Sequence, residues 1–574
     1  MRSLLLFLAL LLPVAAQDTL IRENFNPVND THVEVVAMFT KPSPGGFFPL
    51  RVVISNQEKF NARVTLNCES GAYFGGNTSS SSGYAFEAPA GKIVTRDILV
   101  PLGPPSRNYG GNTNLTVRMG GTFGTAEHTV TADLDPNQPS ILLSEKLYTP
   151  NASILDSAAA SRFTSGYRSS NEFAAKFDPA ILPNDWLAFS GYDNVLMTDS
   201  DWSATPPGCR NAILSWVRLG GQLVIYTTHS ATRASLNLPE ETSYGTITIQ
   251  PIEQDLKMDP PSTLDLVTKG RVEPRQVSLR TDYERKSNWP LQEEFGSQSF
   301  NYALFIAVLI LFGILVGPVN LFVFAKSGQR HRLFITTPLI SLGASLVMIV
   351  LIVVQDGFGG NGIRRVLMEV RPDNGENAAY LHQEQFARTG VLTSSRFTID
   401  PACAFNPVPI ESSRWARYTS ANSYRGTFNL QPDGGKLVAA GDWFQSRSEH
   451  GHVLSAVIPS RGKIEATGVP DTYLSSFDFP IATLFYQNQQ GQWFRADGIE
   501  TGKQFKLTPV EHSMISGTLE EEAKGFAVRH RTFLRAAMKR PGHFIAITDE
   551  APAIATNPGI RWKETRTIIT GPIR

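Results

Sequence analysis

The chain has 574 residues, and its 52 Lys and Arg residues are balanced by 52 Asp and Glu residues, so the formal net charge is zero. This balance excludes the basic excess typical of nucleic-acid-binding proteins, and we expect no nucleic-acid partner. Hydrophobic residues make up 42% and charged residues 18%, with 46 Gly and 37 Pro. That composition is typical of folded, turn-rich domains and not of a disordered chain.

Residues 1–16 are typical of a secretory signal peptide. Arg2 carries a positive charge, residues 4–12 form a short apolar core, and Ala15 and Ala16 are the small residues of a cleavage site. The apolar core is well below the length of about 20 residues that spans a bilayer. We therefore predict cleavage after Ala16, with an uncleaved anchor as the alternative.

Residues 17–137 contain short apolar runs, such as 33–39, 50–54 and 115–119, separated by clusters of Gly, Pro and Ser. Regular short strands with such turns predict an immunoglobulin-like β-sandwich.

Residues 138–300 have the pattern of an α/β layer. The run 195–199 is typical of a buried strand, and residues 208–219 of a helix that ends at Gly220-Gly221, directly before an apolar strand at 223–227. A helix that ends at Gly and is followed at once by a strand indicates a parallel β-α-β unit.

This unit makes testable predictions about individual side chains. Strands 195–198 and 223–227 should be parallel neighbours. Ile213 and Trp216 should pack against the sheet, whereas Asn211 and Arg218 should face water.

Residues 302–325 and 333–354 contain no charged residue, and each stretch exceeds the length of about 18 residues expected for a transmembrane helix. The link between them, 326–332, carries three Lys and Arg residues and no acid. The positive-inside rule therefore predicts a cytoplasmic link, with both large soluble parts on the exterior or periplasmic side of the cell membrane. The lone amide of Asn320 in the first helix predicts helix pairing more readily than a transport pathway.

Residues 355–574 contain many turns and apolar runs at 436–440, 453–458, 481–486 and 544–547. We predict a second β-rich domain, with a single helix near residues 531–539.

Several motifs resemble one group of proteins. Residues 192–199 and 213–224 resemble the strand, helix and Gly-Gly strand of a class I glutamine amidotransferase-like domain. Such a domain before a Gly-Pro-Val-Asn membrane hairpin is similar to largely uncharacterised bacterial envelope membrane proteins, over roughly residues 138–354. The segments 441–450 and 542–547 look like motifs of the same group. The resemblance implies an envelope location and this architecture, but no established activity.

An active amidotransferase of this type has a Cys directly after its strand, whereas this chain continues Thr227-Thr228-His229. Without a thiolate there is no acyl-enzyme chemistry, so the resemblance implies binding or scaffolding. Cys68, Cys209 and Cys403 are too few for a disulfide framework, and single buried thiols are the favoured interpretation over one bridge.

Two pairs of residues are candidate sites. Asp199 and Asp201 follow a strand at its carboxyl end, where open α/β sheets bind ligands, although a helix-capping turn is the favoured interpretation. His450 and His452 are two apart on a predicted strand and could bind zinc if His512 or His530 supplied a third ligand. Solvent-facing positions on a sandwich strand are the alternative.

The sequence thus predicts a multidomain α+β membrane protein: a β-sandwich, an α/β amidotransferase-like layer, a two-helix transmembrane hairpin and a β-rich C-terminal domain. Its predicted function is that of a non-enzymatic scaffold or binding module that requires no cofactor, with the lipid bilayer and another envelope or membrane protein as partners. The alternatives are an exported metal-dependent hydrolase that uses His450 and His452, and an accessory subunit of a membrane transporter.

Overall fold

A computed structural model describes residues 18–72, 78–103, 111–134, 138–163, 173–268, 289–296, 302–325, 327–371, 377–408 and 426–573. Within these residues the chain is rich in strands, which form several sheets, and two apolar helices are long enough to cross a membrane. The predicted signal peptide lies outside the described residues.

The N-terminal region forms two sheets around one core. Its strands are β1 Asp18–Asn26, β2 Thr31–Ala37, β3 Phe47–Asn56, β4 Ala62–Ala72, β5 Thr78–Ala88, β6 Lys92–Pro101, β7 Gly111–Gly121 and β8 Ala126–Leu134. The first sheet has the order β1-β2-β3-β6, and β5-β4-β7-β8 are neighbours in the second. Alternate side chains, such as Val33 and Val35 on β2 and Val64 and Leu66 on β4, are buried in the same cluster. This is the arrangement of a β-sandwich.

The second sheet is extended by strands that follow the apolar hairpin in sequence. These are β16 Phe397–Ile399, β18 Gly426–Asp433 and β19 Lys436–Gly441, and the full order is β16-β19-β18-β5-β4-β7-β8. At the junction, the backbone N–H of Ser81 donates to Asn429 Oδ1 at 2.9 Å, across 348 positions of sequence. Gln431 Nε2 donates to the carbonyl of Gly83 at 2.7 Å. The two soluble parts therefore share one sheet, and residues 17–137 do not complete the sandwich alone.

The next region is a parallel sheet with helices. Its elements are β9 Ile141–Ser144, α1 Glu145–Phe163, β10 Ala174–Phe177, β11 Asn194–Thr198, α2 Asp199–Ala204, α3 Pro207–Arg218, β12 Gln222–Thr227, β13 Thr246–Pro251 and α4 Pro260–Thr268. The strand order is β10-β9-β11-β12-β13. β11 and β12 are parallel neighbours, with Val195 opposite Leu223, and Ile213 and Trp216 are buried, so these predictions are confirmed. A parallel sheet occurs in many α/β folds, so it does not by itself identify an amidotransferase-like domain.

The prediction that Arg218 faces water is wrong. Its guanidinium carbon lies 5.4 Å from the centroid of the Tyr380 ring, and only 5% of Arg218 is exposed. Asn211 on the same helix is exposed, as predicted. The C-terminal domain covers the end of α3, and hydrophobic periodicity within the helix carries no signal for that contact.

The hairpin begins after α5 Pro290–Phe295 and consists of α6 Tyr302–Ile314, a π-helical continuation Leu315–Phe324, and α7 Leu333–Asp356. The apolar spans Ala303–Phe324 and Arg330–Val354 are long enough to cross a membrane and are almost entirely unburied by protein. Asn320 is the exception, because it is fully buried. Its amide donates to Thr337 Oγ1 at 2.9 Å and accepts from Thr336 Oγ1 at 2.6 Å. This confirms the prediction that Asn320 pairs the two helices.

The region after the hairpin is built on a large sheet with two helices. Its other elements are β14 Gly360–Arg371, β15 Ala378–Thr389, β17 Ala404–Val408, β20 Glu449–Pro459, β21 Ile464–Ala466, β22 Thr472–Ser475, β23 Ile481–Gln487, β24 Trp493–Ile499, β25 Gln504–Lys506, β26 Thr508–Val510, α8 His512–Lys524, α9 Val528–Ala537, β27 His543–Thr548 and β28 Ile560–Pro572. The main sheet has the order β17-β20-β15-β14-β28-β27-β23-β24-β26, and β21-β22-β25 form a small one.

The four apolar runs predicted as strands are β19, β20, β23 and β27, which confirms a β-rich domain. The prediction of a single helix is wrong, because α8 precedes α9. The apolar face of α8 contains only Ile515, Leu519 and Ala523 as buried residues, and this narrow stripe is hidden among polar residues in the sequence.

Candidate functional site

Asp201 lies in the first turn of α2, at the carboxyl edge of the parallel sheet. Thr198 Oγ1 accepts a hydrogen bond from the backbone N–H of Asp201 at 3.1 Å, and Asp201 Oδ2 accepts from the N–H of Thr198 at 3.4 Å. This reciprocal pair is a capping box, which satisfies backbone donors at the start of the helix. Lys146 Nζ lies 3.1 Å from Asp201 Oδ1, and the carboxylate is almost fully buried. Asp201 therefore has a structural role in holding α2.

Asp199 is more open than Asp201. Thr227 Oγ1, at the end of β12, donates to Asp199 Oδ2 at 2.7 Å. His229 Nδ1 lies 3.9 Å from the same oxygen, and 81% of the His229 side chain is exposed. The exposed hydroxyl of Thr228 is 2.9 Å from His229 Nδ1. The structure thus brings Asp199, Thr228 and His229 together as one open polar group at the carboxyl ends of β11 and β12.

The arrangement of this group favours binding over nucleophilic catalysis. In a catalytic triad the imidazole bridges the acid and the nucleophile through its two different nitrogens. Here Asp199 and Thr228 both approach Nδ1 of His229, so the ring does not lie between them. A carboxylate, a hydroxyl and an imidazole at a strand end can still accept and donate hydrogen bonds to a ligand.

A second feature of the same layer is an open cavity of about 710 Å³ beside β13 and α4. Its lining includes Tyr226, Lys257, Asp259 and Asp265, so both signs of charge border it. Because Tyr226 and Thr227 are successive residues of β12, the cavity and the Asp199 group lie toward opposite faces of the sheet.

His450 and His452 lie on β20 as predicted, with ring centroids 6.3 Å apart. His452 is buried, contrary to the alternative that these positions face solvent. Its Nε2 lies 2.9 Å from the carbonyl oxygen of Trp443, and Nε2 of His450 lies 3.1 Å from the carbonyl oxygen of Gln445. Burial lowers the pKa of His450 to about 4 and that of His452 well below its ordinary value, so both rings are neutral near pH 7.

The third ligand that zinc would need is not beside this pair. His452 contacts Gln385, whereas His530 contacts Glu384, the preceding residue of β15. Successive residues of a strand point to opposite faces, so His452 and His530 are separated by the sheet. His512 stacks on Trp493, with ring centroids 6.1 Å apart. In the part of the chain that the structure describes, no group of three or more His, Cys, Asp or Glu side chains could hold a metal ion.

Sequence reasoning missed a buried ionic network around Glu369. The Glu369 carboxylate is fully buried and pairs with Arg371 at 2.6 Å and Arg540 at 2.9 Å. Burial alone would raise the pKa of Glu369, but the charges of Arg540 and Arg371 outweigh it and lower the pKa. Arg371 also pairs with Glu241 of the α/β layer at 2.8 Å. Hydrogen bonding from His543, together with Arg371, lowers the pKa of Glu241 to about 2. This network joins the α/β layer to the C-terminal domain.

A second buried carboxylate, Glu384, was also missed. It accepts hydrogen bonds from Trp289 Nε1 at 2.7 Å and from the backbone N–H of Ala527 at 3.0 Å, and His530 Nδ1 lies 2.5 Å from it. Trp289 precedes α5, so this contact ties the entrance of the hairpin to the C-terminal domain. The available signal was an acid within a polar run, 382–385, bounded by Leu381 and Phe386, which is unusual for a strand interior.

The prediction of single buried thiols is confirmed, because Cys68, Cys209 and Cys403 are all free and buried. Burial raises the pKa of Cys68 to about 12 and also raises that of Cys403. Neither of these two thiols is a thiolate near neutral pH.

Comparisons with known proteins give no family. No protein-family model matches the sequence, and no curated protein matches it significantly. Among solved structures, a β-glucuronidase of glycoside hydrolase family 2 is 12% identical, with 38% of this chain and 20% of that chain covered and a TM-score of 0.14. The yeast delta-COP-I mu-homology domain is 8% identical, with 38% and 98% covered and a TM-score of 0.17. The E. coli alpha-2-macroglobulin is 10% identical, with 83% and 40% covered and a TM-score of 0.14. Scores this low indicate neither a shared fold nor a shared function.

Proposed function

We propose that this chain is a membrane-anchored scaffold or binding protein whose two soluble parts act as one body. The observation that carries the proposal is that the same C-terminal domain holds both ends of the hairpin. At the entrance Trp289 donates to the buried Glu384, and at the exit Arg447 Nε lies 2.5 Å from Asp356 Oδ2. The body is therefore fixed relative to the helices, which suits the presentation of a surface at a set position above a bilayer.

The surface that we assign to a partner is the open group of Asp199, Thr228 and His229. Its geometry supports hydrogen bonding, and no thiol is present at this position for acyl transfer. The same proposal includes three further points. Both soluble parts are exported, the leader is cleaved, and the α/β layer has an amidotransferase-like origin. The partner is another protein of the membrane or envelope.

Site-specific photo-crosslinking in native membranes tests this assignment. A photoreactive residue in place of His229 in the full-length chain should yield one discrete crosslinked protein. The matched control is the same residue in place of Val28, which is 96% exposed in the turn between β1 and β2. Equal products at both positions, or none at His229, would overturn the assigned surface.

Topology is tested by a separate measurement. A reporter that is active only in the cytoplasm, fused after Arg574, should remain silent, whereas one inserted after Arg330 should be active. The reverse pattern would contradict export of the two soluble parts.

A further inference from the structure

The open cavity of the α/β layer lies at the carboxyl ends of the last two strands of the parallel sheet. It has a volume of about 710 Å³, and its lining includes Tyr226 near the end of β12 and Gln250 and Pro251 at the end of β13. Open α/β sheets bind ligands outside the carboxyl ends of their strands. A cavity of this size at this position is large enough for a small organic molecule.

Part of the lining is an apolar floor, formed by Tyr226, Ile252, Met258 and Leu266. Tyr226 and Met258 are buried in the hydrophobic cluster between the sheet and helices α1 and α4, and Ile252 and Leu266 pack against the same cluster. The floor of the cavity is therefore continuous with the core of the layer.

The loop between β13 and α4, which supplies part of this floor, is held in place by Asn151 of α1. The Asn151 side chain is fully buried. Its amide group donates to the carbonyl of Leu256 at 2.7 Å, and its Oδ1 accepts from the backbone N–H of Met258 at 2.7 Å. Because these bonds fix the loop without any ligand, little conformational entropy is lost when a ligand binds.

Two of the four charged residues in the lining have ion-pair partners. Lys257 Nζ lies 3.2 Å from Asp255 Oδ2, and Asp265 Oδ1 lies 2.6 Å from Arg162 Nη1. Each pair consists of one cation and one anion, so together they add no net charge to the cavity.

The other two charged residues are the exposed carboxylates of Glu253 and Asp259. In the part of the chain that the structure describes, neither carboxylate pairs with a cation. Hydrogen bonds from the hydroxyl and the backbone N–H of Ser262 to Asp259 Oδ2 lower the pKa of Asp259, so this group is charged near neutral pH. The cavity therefore combines an apolar floor with two negative charges that the described chain does not neutralise.

We propose that this cavity binds an alkyl polyamine, with ammonium groups paired to Glu253 and Asp259. Ammonium groups donate charge-assisted hydrogen bonds to carboxylates. The methylene segments between them cover apolar surface, as the stem of a Lys side chain does, and here they would lie on Ile252 and Met258. The cavity and the Asp199 group lie toward opposite faces of the sheet, so this site is additional to the surface that we assign to a protein partner.

Isothermal titration calorimetry of the full-length chain, in an uncharged detergent at fixed ionic strength, tests the site with spermidine as the probe. Spermidine should bind about tenfold more tightly than Mg²⁺, which carries charge but no methylene chain. Glu253→Gln combined with Asp259→Asn should weaken spermidine binding about tenfold. Both side chains are exposed, and Asn replaces Asp well at the start of a helix, so the fold should persist.

The matched control is Asp478→Asn combined with Glu550→Gln, which removes two exposed acids of the C-terminal domain and should leave spermidine binding unchanged. Equal affinities for spermidine and Mg²⁺ would overturn the inference, because the site would then recognise charge alone. Unchanged binding in the Glu253 and Asp259 variant, or an equal loss in the control, would also overturn it.

A single substitution separates loss of the site from loss of the fold. If the double variant melts at a lower temperature than the unmodified chain, Glu253→Gln alone decides the question, because the Glu253 side chain makes no hydrogen bond or ion pair among the described residues. This variant should weaken spermidine binding about threefold with an unchanged melting curve. Unchanged affinity in this variant would overturn the inference, and it would leave the crosslinking result at His229 unaffected.

Discussion

The acidic residues at the edge of the parallel sheet and those buried beneath the C-terminal helices have opposite roles. Asp199 and Asp201 make contacts within their own turn or with neighbouring elements of the same layer, and Asp199 remains open to solvent. Glu369 and Glu384 are fully buried, and each has at least one partner from a distant part of the chain, Arg540 for Glu369 and Trp289 for Glu384. A motif near a strand end thus identifies a position that is open to a ligand. The buried charges that join distant parts of the chain occur at positions that no sequence motif identifies.

The largest effect should come from Glu369→Gln. This change puts a buried neutral amide in place of the carboxylate that pairs with the partly buried Arg371 and Arg540, and breaking a buried pair in this way costs about 3–5 kcal/mol. Denaturant unfolding of the full-length chain in detergent measures it. The control Asp199→Asn should cost about 1 kcal/mol or less, because only one hydrogen bond at a partly exposed site is affected. Equal losses of unfolding free energy in the two variants would contradict the difference between the buried acidic residues and those at the sheet edge.

Trp289→Phe tests the second buried acid with little change in packing. The ring still fits beside Phe386, but Glu384 loses the indole N–H as a donor, which should cost about 1.5–3 kcal/mol. Limited proteolysis around residues 289–296 should also accelerate, because the entrance of the hairpin is released. Unchanged stability and cleavage would mean that Glu384 does not hold this segment.

Acid should weaken the fold through the neutral imidazoles on β20. The folded pKa of His450 is about 4, below the ordinary value of 6.5, so the stabilisation is fully present above pH 6.5 and is lost as the pH falls toward 4. The full pKa difference would correspond to about 3 kcal/mol, but the His450 side chain is only partly buried, so we expect a loss of about 1–2 kcal/mol across that window. Thermal unfolding between pH 7 and pH 4 should show a smaller decrease for His450→Gln than for the unmodified chain. An identical decrease would assign the acid sensitivity to other groups.

The smallest effect should come from Asn320→Leu in the hairpin. The change removes both hydrogen bonds to the second helix, and such bonds between membrane helices contribute about 0.6 kcal/mol on average. Steric trapping in bicelles is sensitive enough to measure this difference. The control Phe322→Leu alters a ring that is 72% exposed and should have no effect on hairpin pairing.

Local patterns determined much of the architecture. The hairpin follows from two long uncharged stretches, and the parallel pair β11 and β12 follows from a helix that ends at Gly before an apolar strand. The burial of Trp216 and the pairing role of Asn320 follow from the same short-range reasoning. Each depends on residues that are neighbours in sequence, where the period of a helix or strand fixes which side chains share a face.

Only the tertiary structure decided how the parts meet. The strand β18 pairs with β5, which lies hundreds of residues earlier in the chain, and Arg218 is covered by Tyr380 of a domain beyond the hairpin. His452 is buried because neighbouring strands and Trp443 enclose it. The hydrophobic periodicity of a segment identifies the face that is buried. It does not identify which distant segment of the chain covers the opposite face. Contacts between distant segments therefore decided which charges are buried, and with them which candidate residues remain open to a partner.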